Sequence, residues 1–153
     1  SAYYFPQVFG RSFHRGQNGW INAALDYGYA IIRGACARGL VAYGMLPSFG
    51  LFHSSEQNSF NLADDLIEPY RPIVDLHVAQ TRSQHGEIEL KSCEKAALVG
   101  LLNVDVAMPR GQMSVLASIE QAAQSLARMY DGGSEQLLEL PSLIGLRQHT
   151  YEM

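Results

Sequence analysis

A run of helix-type spacing from Trp20 to Tyr43 constrains the fold of this 153-residue chain more than any other feature. Its apolar and small residues recur every three or four positions, which predicts a long amphipathic helix. Gly28, Gly34 and Gly39 lie inside this run, and each costs about 1 kcal/mol relative to alanine in a helix interior. We therefore expect this helix to pack very close to another helix. The alternative is a break into two shorter pieces.

The rest of the chain is also mostly helix-compatible. A turn signature at 109–111 allows a minimal hairpin between 104–107 and 112–115. Because no run of alternating strands is present, the pattern predicts an all-α helical bundle that forms a single domain over residues 1–153. Further helices are expected from residue 59 to a proline kink at 69–72, over 73–81, over 92–102, and from 114 to the glycine pair at 132–133.

The composition is that of a folded globular protein, with 47% apolar and 17% charged residues. The net charge of −4 lies entirely in residues 83–153, which argues weakly against a general nucleic-acid coat. The sequence shows neither a basic-then-apolar leader nor an apolar run of about 18 residues, so we expect a soluble, cytoplasmic protein without membrane contact. Cys36 and Cys93 are expected to be buried free thiols, and the absence of a Cys-x-x-Cys motif disfavours structural zinc.

The segment from Phe49 to Arg71 carries the residues best suited to chemistry. His53 leaves an apolar run, and Asp65 and Glu68 follow twelve and fifteen residues later. Residues three apart share one helix face, and a loop can bring the imidazole towards the two carboxylates. This combination suits a divalent metal ion acting on phosphate. The alternatives are a histidine with a structural role, acids that solvate a helix face, and a simple pair between Glu68 and Arg71.

Other polar features of the sequence carry less information. His14, His77, His85 and His149 have no partner at metal-ligand spacing and are expected at the surface. The basic loop at 11–15 could contact phosphate, although a solvated loop is the simpler interpretation. Phosphate-loop, dinucleotide and nucleophile-elbow motifs do not occur, so nucleotide-binding folds and triad hydrolases have no support.

Several longer stretches of the sequence are distinctive. They are NAALDYGYAIIR at 22–33, ARGL at 37–40, GLFH at 50–53, FNLADDLIEPYRP at 60–72, AALVGLL at 96–102 and LELP at 138–141. Together they strongly resemble the CRISPR-associated integrase, the endonuclease of spacer acquisition. The resemblance covers almost the whole chain, and the EPYRP block at 68–72 looks most like the form found beside type II systems.

The resemblance implies a fold and a metal site. Only the helical C-terminal domain of the family is matched, and the family's N-terminal β domain is absent from this sequence. In the family a glutamate, a histidine and an acidic residue bind the metal. His53 matches the histidine, Glu68 matches the acid, and Asp65 matches a nearby acidic position. The family's glutamate would lie about one helical turn before Ser1, so we expect a piece of a longer protein that is inactive by itself.

The resemblance also implies a reaction and partners. With Mg²⁺ or Mn²⁺ bound, the 3′-hydroxyl of a short duplex attacks a phosphodiester at the leader–repeat boundary of a CRISPR array. Arg71, or equally Arg33 or Arg38, would contact phosphate. Expected partners are double-stranded DNA, as prespacer and CRISPR repeat, a second CRISPR adaptation protein, and a second copy in the full-length homodimer. The alternative is a non-catalytic helical module that binds DNA or protein.

Overall fold

The computed structural model describes residues 3–82, 89–132 and 138–150. Most of these residues are helical, and the helix boundaries follow the glycine and proline positions of the sequence. The elements are α1 (Tyr4–Phe9), α2 (Trp20–Ala42), α3 (Asn61–Ile67), a 3-10 turn (Glu68–Tyr70), α4 (Arg71–Thr81), α5 (Ser92–Gly100), a 3-10 turn (Leu101–Asn103), β1 (Asp105–Met108), β2 (Gly111–Ser114) and α6 (Val115–Tyr130).

Helix α2 is the centre of the fold and contacts α3, α4, α5 and α6. It is continuous over 23 residues, so the alternative of two shorter pieces is wrong. A Cβ atom on Gly28 would lie 2.5 Å from Val74 Cγ1, and one on Gly39 would lie 3.4 Å from Ile119 Cγ2. The predicted close packing is therefore confirmed at Gly28 and Gly39. It is wrong at Gly34, where a Cβ atom would meet open space.

A small β-hairpin corrects the all-α prediction. Strands β1 and β2 pair antiparallel from Asp105 opposite Ser114 to Met108 opposite Gly111. Gly111 has a φ of +125°, which an L side chain rarely adopts, so this glycine suits the turn. The C-terminal segment 138–150 adds isolated bridges to Ala107 of β1 and to Val104, directly before this strand. The hairpin lies where the turn signature allowed one, and the fold is a helical bundle with this small sheet.

The buried side chains form one cluster around α2. Leu25, Ile32 and Leu40 of α2 are fully buried in it. Cys36 is a buried free thiol, as predicted, whereas Cys93 is exposed, so the prediction of burial is wrong for Cys93. Among the described residues, every helix is too short or too polar to cross a membrane.

Candidate functional site

The loop between α2 and α3 carries His53 and is folded tightly on itself. A Cβ atom on Gly50 would lie 2.1 Å from the carbonyl oxygen of His53 and 2.8 Å from Cβ of Asn61. The start of α3 is tied to the same loop, because the Leu62 amide donates to the Pro47 carbonyl at 2.7 Å. Position 50 therefore has room only for glycine, because the His53 backbone and the Asn61 side chain occupy the space where a Cβ atom would lie.

The Asp65 carboxylate, on α3, binds this loop through hydrogen bonds to its backbone. Its Oδ2 accepts the backbone N–H groups of Leu51 at 2.5 Å and Phe52 at 3.0 Å, and its Oδ1 accepts that of His53 at 3.1 Å. The Asp65 side chain is 7% exposed. Burial raises the pKa of Asp65, but the backbone donors and the His53 side chain outweigh it and hold this pKa below its usual range.

The same carboxylate orients the His53 ring. His53 Nδ1 lies 2.6 Å from Asp65 Oδ1, so Nε2 is the ring nitrogen that remains for a ligand. The His53 side chain is 44% exposed and accessible to such a ligand. A carboxylate on the second ring nitrogen is the usual arrangement behind a metal-ligating histidine. Asp65 thus has the position of a supporting group, with its oxygens already engaged by the loop.

Glu68 follows α3 at the start of the first 3-10 turn, and its carboxylate contacts Arg71. Its Oε1 lies 3.0 Å from Arg71 Nε, and its side chain is 52% exposed. The structure therefore shows the pair with Arg71 that the sequence left open as an alternative. An exposed pair of this kind contributes about 0–1 kcal/mol, so a stronger ligand can displace it.

The donor set fits a divalent cation in part. Within residues 3–82, 89–132 and 138–150, no three His, Cys, Asp or Glu side chains lie close enough together to hold a metal ion. His53, Asp65 and Glu68 are therefore not a preassembled three-ligand centre. The chemistry of the available donors, one imidazole nitrogen and one exposed carboxylate, suits Mn²⁺ better than an all-oxygen Mg²⁺ site.

The arginines singled out from the sequence have different settings. Arg33 of α2 is engaged in the fold, with Nε 2.7 Å from Asp64 Oδ1 and a hydrogen bond of 3.0 Å to Asn58 Oδ1. Arg38 lies five residues further along α2, and its side chain is 63% exposed with a 3.4 Å contact to Glu120. Arg33 thus joins α2 to α3 through Asp64 and to the preceding loop through Asn58, while Arg38 is the more available cation.

A buried carboxylate that the sequence pattern did not predict lies beside Arg71. Asp75 of α4 is 3% exposed and accepts the hydroxyl groups of Tyr29, from α2, and Tyr4, from α1, the latter at 2.8 Å. Burial raises the pKa of Asp75 and outweighs the two tyrosine hydrogen bonds, which lower it. The guanidinium carbon of Arg71 lies 5.0 Å from the centre of the Tyr29 ring. The sequence signal was a single acid inside an apolar helical stretch, since buried acids are rare without partners.

The remaining histidines are only partly at the surface. His14 is exposed, as predicted. His77 is half-buried, and burial lowers its pKa. His149 Nδ1 lies 2.5 Å from Asp105 Oδ1, so it joins the C-terminal segment to β1. The surface prediction therefore holds only in part for His77 and His149, and His85 lies outside the described residues.

The basic loop at 11–15 is partly bound by its own neighbours. Arg15 donates to Asn22 Oδ1 at 2.7 Å and to Asp26 Oδ1 at 2.6 Å. Its guanidinium carbon also lies 5.7 Å from the centre of the Tyr29 ring. Arg15 thus has contacts that fix the loop on α2, and a phosphate contact by this loop stays a prediction.

Comparisons with known proteins agree on one protein family. A family model described as CRISPR associated protein Cas1 matches residues 7–107. The CRISPR-associated endonuclease Cas1 of Neisseria meningitidis serogroup C is 41% identical over 153 residues, which are 99% of this chain and 50% of that protein. A CRISPR-associated endonuclease Cas1 of Thermus thermophilus is 38% identical over 71 residues, 46% of this chain and 22% of that protein. The chain spans half the length of the Neisseria protein.

Proposed function

Because this chain belongs to the Cas1 family of CRISPR-associated proteins, we propose that it is the helical part of a metal-dependent DNA endonuclease and integrase. In this proposal, the enzyme inserts new spacers into a CRISPR array. The observation that carries the proposal is the His53–Asp65 pair at 2.6 Å, which leaves Nε2 of an exposed imidazole for a ligand. Glu68 supplies an exposed carboxylate whose present partner is weakly held.

In this proposal His53, through Nε2, and Glu68 hold Mg²⁺ or Mn²⁺, and Asp65 orients the imidazole from behind. A bound ion would supply polarisation of a phosphoryl oxygen and would favour ionisation of the attacking hydroxyl. Asp65 accepts hydrogen bonds from three consecutive backbone N–H groups of the loop, and these bonds fix the position of His53. Asp65 is accordingly assigned a supporting role in this proposal, in place of the ligand role that the sequence suggested.

The proposed reaction is a transesterification. The 3′-hydroxyl oxygen of a short duplex bonds to a phosphorus atom of the CRISPR array, the bond from that phosphorus to the leaving 3′-oxygen breaks, and the leaving oxygen takes up a proton. In this proposal Arg71 stabilises phosphate charge once Glu68 turns to its ligand role, since guanidinium and phosphate form strong charge-assisted hydrogen bonds. The 3.0 Å contact between Arg71 Nε and Glu68 Oε1 supports this role. Arg38 is proposed as a backbone-phosphate contact, and Arg33 acts through its pair with Asp64.

Two protein donors leave most of the coordination sphere of the ion to other groups. The family resemblance implies a further glutamate from outside this sequence. We therefore propose that the 153-residue chain binds the ion weakly and does not join DNA without that glutamate.

The proposed partners follow from the same resemblance. They are double-stranded DNA, as prespacer and as CRISPR repeat, a second CRISPR adaptation protein, and a second copy of the full-length protein. The even charge balance of residues 1–82, with all of the net negative charge in residues 83–153, supports placing the DNA on the part of the chain that contains α2 and α4.

A strand-transfer assay tests this function. A labelled duplex with free 3′-hydroxyls is incubated with a repeat-containing duplex and Mn²⁺. The proteins are this chain and a form extended at its N-terminus to supply the glutamate. We expect joining by the extended form, its loss in Glu68→Gln and His53→Ala, and no change in the exposed control Glu89→Gln. Joining that survives Glu68→Gln would contradict the assignment of this carboxylate.

A second candidate function is a non-catalytic interaction module. The observation that favours it is a set of exposed apolar side chains after α2, including Leu46 at 61%, Phe49 at 70% and Phe52 at 89%. Apolar side chains grouped on a surface are typical of contact sites for macromolecules. In the strand-transfer assay this candidate predicts that the extended form binds DNA or protein without joining strands.

A further inference from the structure

The carboxylate of Asp75 connects three helices at one buried point. It lies on α4, four residues after Arg71 and therefore on the same helix face. Its two oxygens accept separate tyrosine hydroxyls, Oδ1 that of Tyr29 from α2 and Oδ2 that of Tyr4 from α1. A buried carboxylate is tolerated when such donors satisfy its oxygens. Asp75 thus fixes the direction of the Tyr29 side chain.

The fixed ring of Tyr29 supports a cation. Tyr29 is 9% exposed, and the guanidinium carbon of Arg71 lies 5.0 Å from its ring centre. A guanidinium over an aromatic face is attracted by the ring quadrupole. Because the hydroxyl of Tyr29 is held by Asp75, the ring cannot turn away without breaking a buried hydrogen bond.

Arg71 then reaches from this ring to the candidate site. Its side chain is 37% exposed, and its Nε lies 3.0 Å from Glu68 Oε1. A free arginine side chain has many rotamers, and holding its planar group on a ring reduces the number of conformations that it samples. The guanidinium is therefore presented beside Glu68 in a restricted orientation.

We infer that Asp75 is a positioning residue: through Tyr29 it holds the Arg71 guanidinium beside Glu68, where Arg71 binds a backbone phosphate of double-stranded DNA. This inference rests on the proposed function, because that function places DNA at Glu68. Asp75 itself touches neither DNA nor a metal ion in this arrangement. It acts on DNA binding through the Tyr29 ring.

The salt dependence of DNA binding tests the inference. Affinity of this chain for a repeat-containing duplex is measured over a range of salt concentrations for wild type, Arg71→Gln, Asp75→Asn, Tyr29→Phe and the double variant Asp75→Asn/Arg71→Gln. Loss of one phosphate contact lowers the slope of log affinity against log salt by about 0.9. We expect this loss in Arg71→Gln, a similar loss in Asp75→Asn, and no additional loss in the double variant.

The sign of the charge change makes the test sharp. Asp75→Asn adds no negative charge, so an effect of charge by itself would tighten DNA binding or leave it unchanged, whereas loss of positioning weakens it. The control Asp131→Asn removes an exposed carboxylate at the end of α6 and should leave the slope unchanged. If Asp75→Asn fails to fold, Tyr29→Phe carries the test, because it removes the bonded hydroxyl and keeps the ring.

A readout without DNA separates the two proposals. The Nε–H resonance of Arg71, assigned by its loss in Arg71→Lys, should be shifted by the Tyr29 ring and move towards the value of a free arginine in Asp75→Asn. An unshifted resonance in wild type, or no movement in Asp75→Asn, would overturn the positioning role. Wild type without salt-dependent DNA binding, or Arg71→Gln with the wild-type slope, would overturn the proposed phosphate contact and this inference with it. If the slope falls in Arg71→Gln but stays at the wild-type value in Asp75→Asn, the phosphate contact stands and only the positioning role is overturned.

Discussion

His53 and Asp65 are joined twice, by a contact of 2.6 Å between Nδ1 and Oδ1 and by the His53 backbone N–H, which donates to the same oxygen at 3.1 Å. The double connection fixes both the position of the His53 backbone and the orientation of its ring. Since Asp65 also accepts the amides of Leu51 and Phe52, one carboxylate determines the shape of the loop and the direction in which His53 Nε2 points.

Asp65→Asn is predicted to damage both the loop and the site. The amide nitrogen of asparagine cannot accept a backbone N–H, so at least one donor of the loop loses its partner. The free energy of unfolding should fall by about 1–3 kcal/mol, and Mn²⁺ affinity should fall about 10- to 100-fold, as for other groups behind a metal ligand. Urea unfolding and calorimetric Mn²⁺ titration measure the two effects. Asp131→Asn is the control, and wild-type Mn²⁺ affinity in Asp65→Asn would contradict the supporting role.

The stability contributed by Asp65 should depend on pH in a defined direction. Its pKa in the folded protein is below the ordinary value of about 3.9. A lowered pKa gives a contribution that is present above the ordinary value and is lost as pH falls through the folded value. The difference in unfolding free energy between wild type and Asp65→Asn should therefore be large at about pH 6.5 and shrink below about pH 3.9. Urea unfolding at both pH values checks this, and a difference that grows towards acid pH would refute it.

Gly50→Ala and Gly34→Ala are predicted to have opposite effects. The Cβ atom at position 50 would meet the His53 carbonyl oxygen at 2.1 Å, so the loop must shift, at a cost of about 1–3 kcal/mol. The exposed, helical Gly34 has open space around its Cβ position, so alanine there should stabilise the protein by about 1 kcal/mol. Thermal unfolding of both variants measures the contrast. A Gly50→Ala variant as stable as wild type would show that the loop has room to relax.

Arg33→Ala and Arg38→Ala should separate a structural arginine from an available one. Removing Arg33 leaves Asp64, whose side chain is 17% exposed, without its 2.7 Å ion pair, and we expect a loss of about 1–3 kcal/mol in stability. Arg38 has one exposed contact of 3.4 Å to Glu120, so its removal should change stability by about 0.5 kcal/mol or less. Urea unfolding of the two variants is the measurement. Equal losses of stability would contradict the distinction.

The helical framework was largely predictable because its signals are local. The spacing from Trp20 predicted α2 almost to its last residue, and the prolines at 69 and 72 predicted the interruption between α3 and α4. The last long helix was predicted to begin at residue 114, where Ser114 Oγ accepts the Ala117 N–H at 3.2 Å and caps the helix. The hairpin was foreseen as a possibility at its place in the chain, yet the fold class was assigned without it.

The candidate site was predictable in its residues but not in its connections. His53 and Asp65 lie together, as their spacing in the sequence indicated. The spacing does not reveal, however, whether Asp65 is a metal ligand or a group that accepts three backbone N–H bonds. That difference depends on the path of the loop through Gly50. The roles of Asp75 and Tyr29 depend on contacts across 46 residues of sequence, which periodicity within one helix does not encode.

Titration of Mn²⁺ into this chain tests the central claim most directly. It should be followed by calorimetry for wild type, His53→Ala, Glu68→Gln and the exposed control Glu89→Gln. If His53 and Glu68 are the ligands, the two site variants should bind at least about 10-fold more weakly than wild type, while the control should match wild type. Equal binding by wild type and Glu68→Gln, or an absence of binding by all four proteins, would contradict the metal assignment and leave Glu68 as the exposed partner of Arg71.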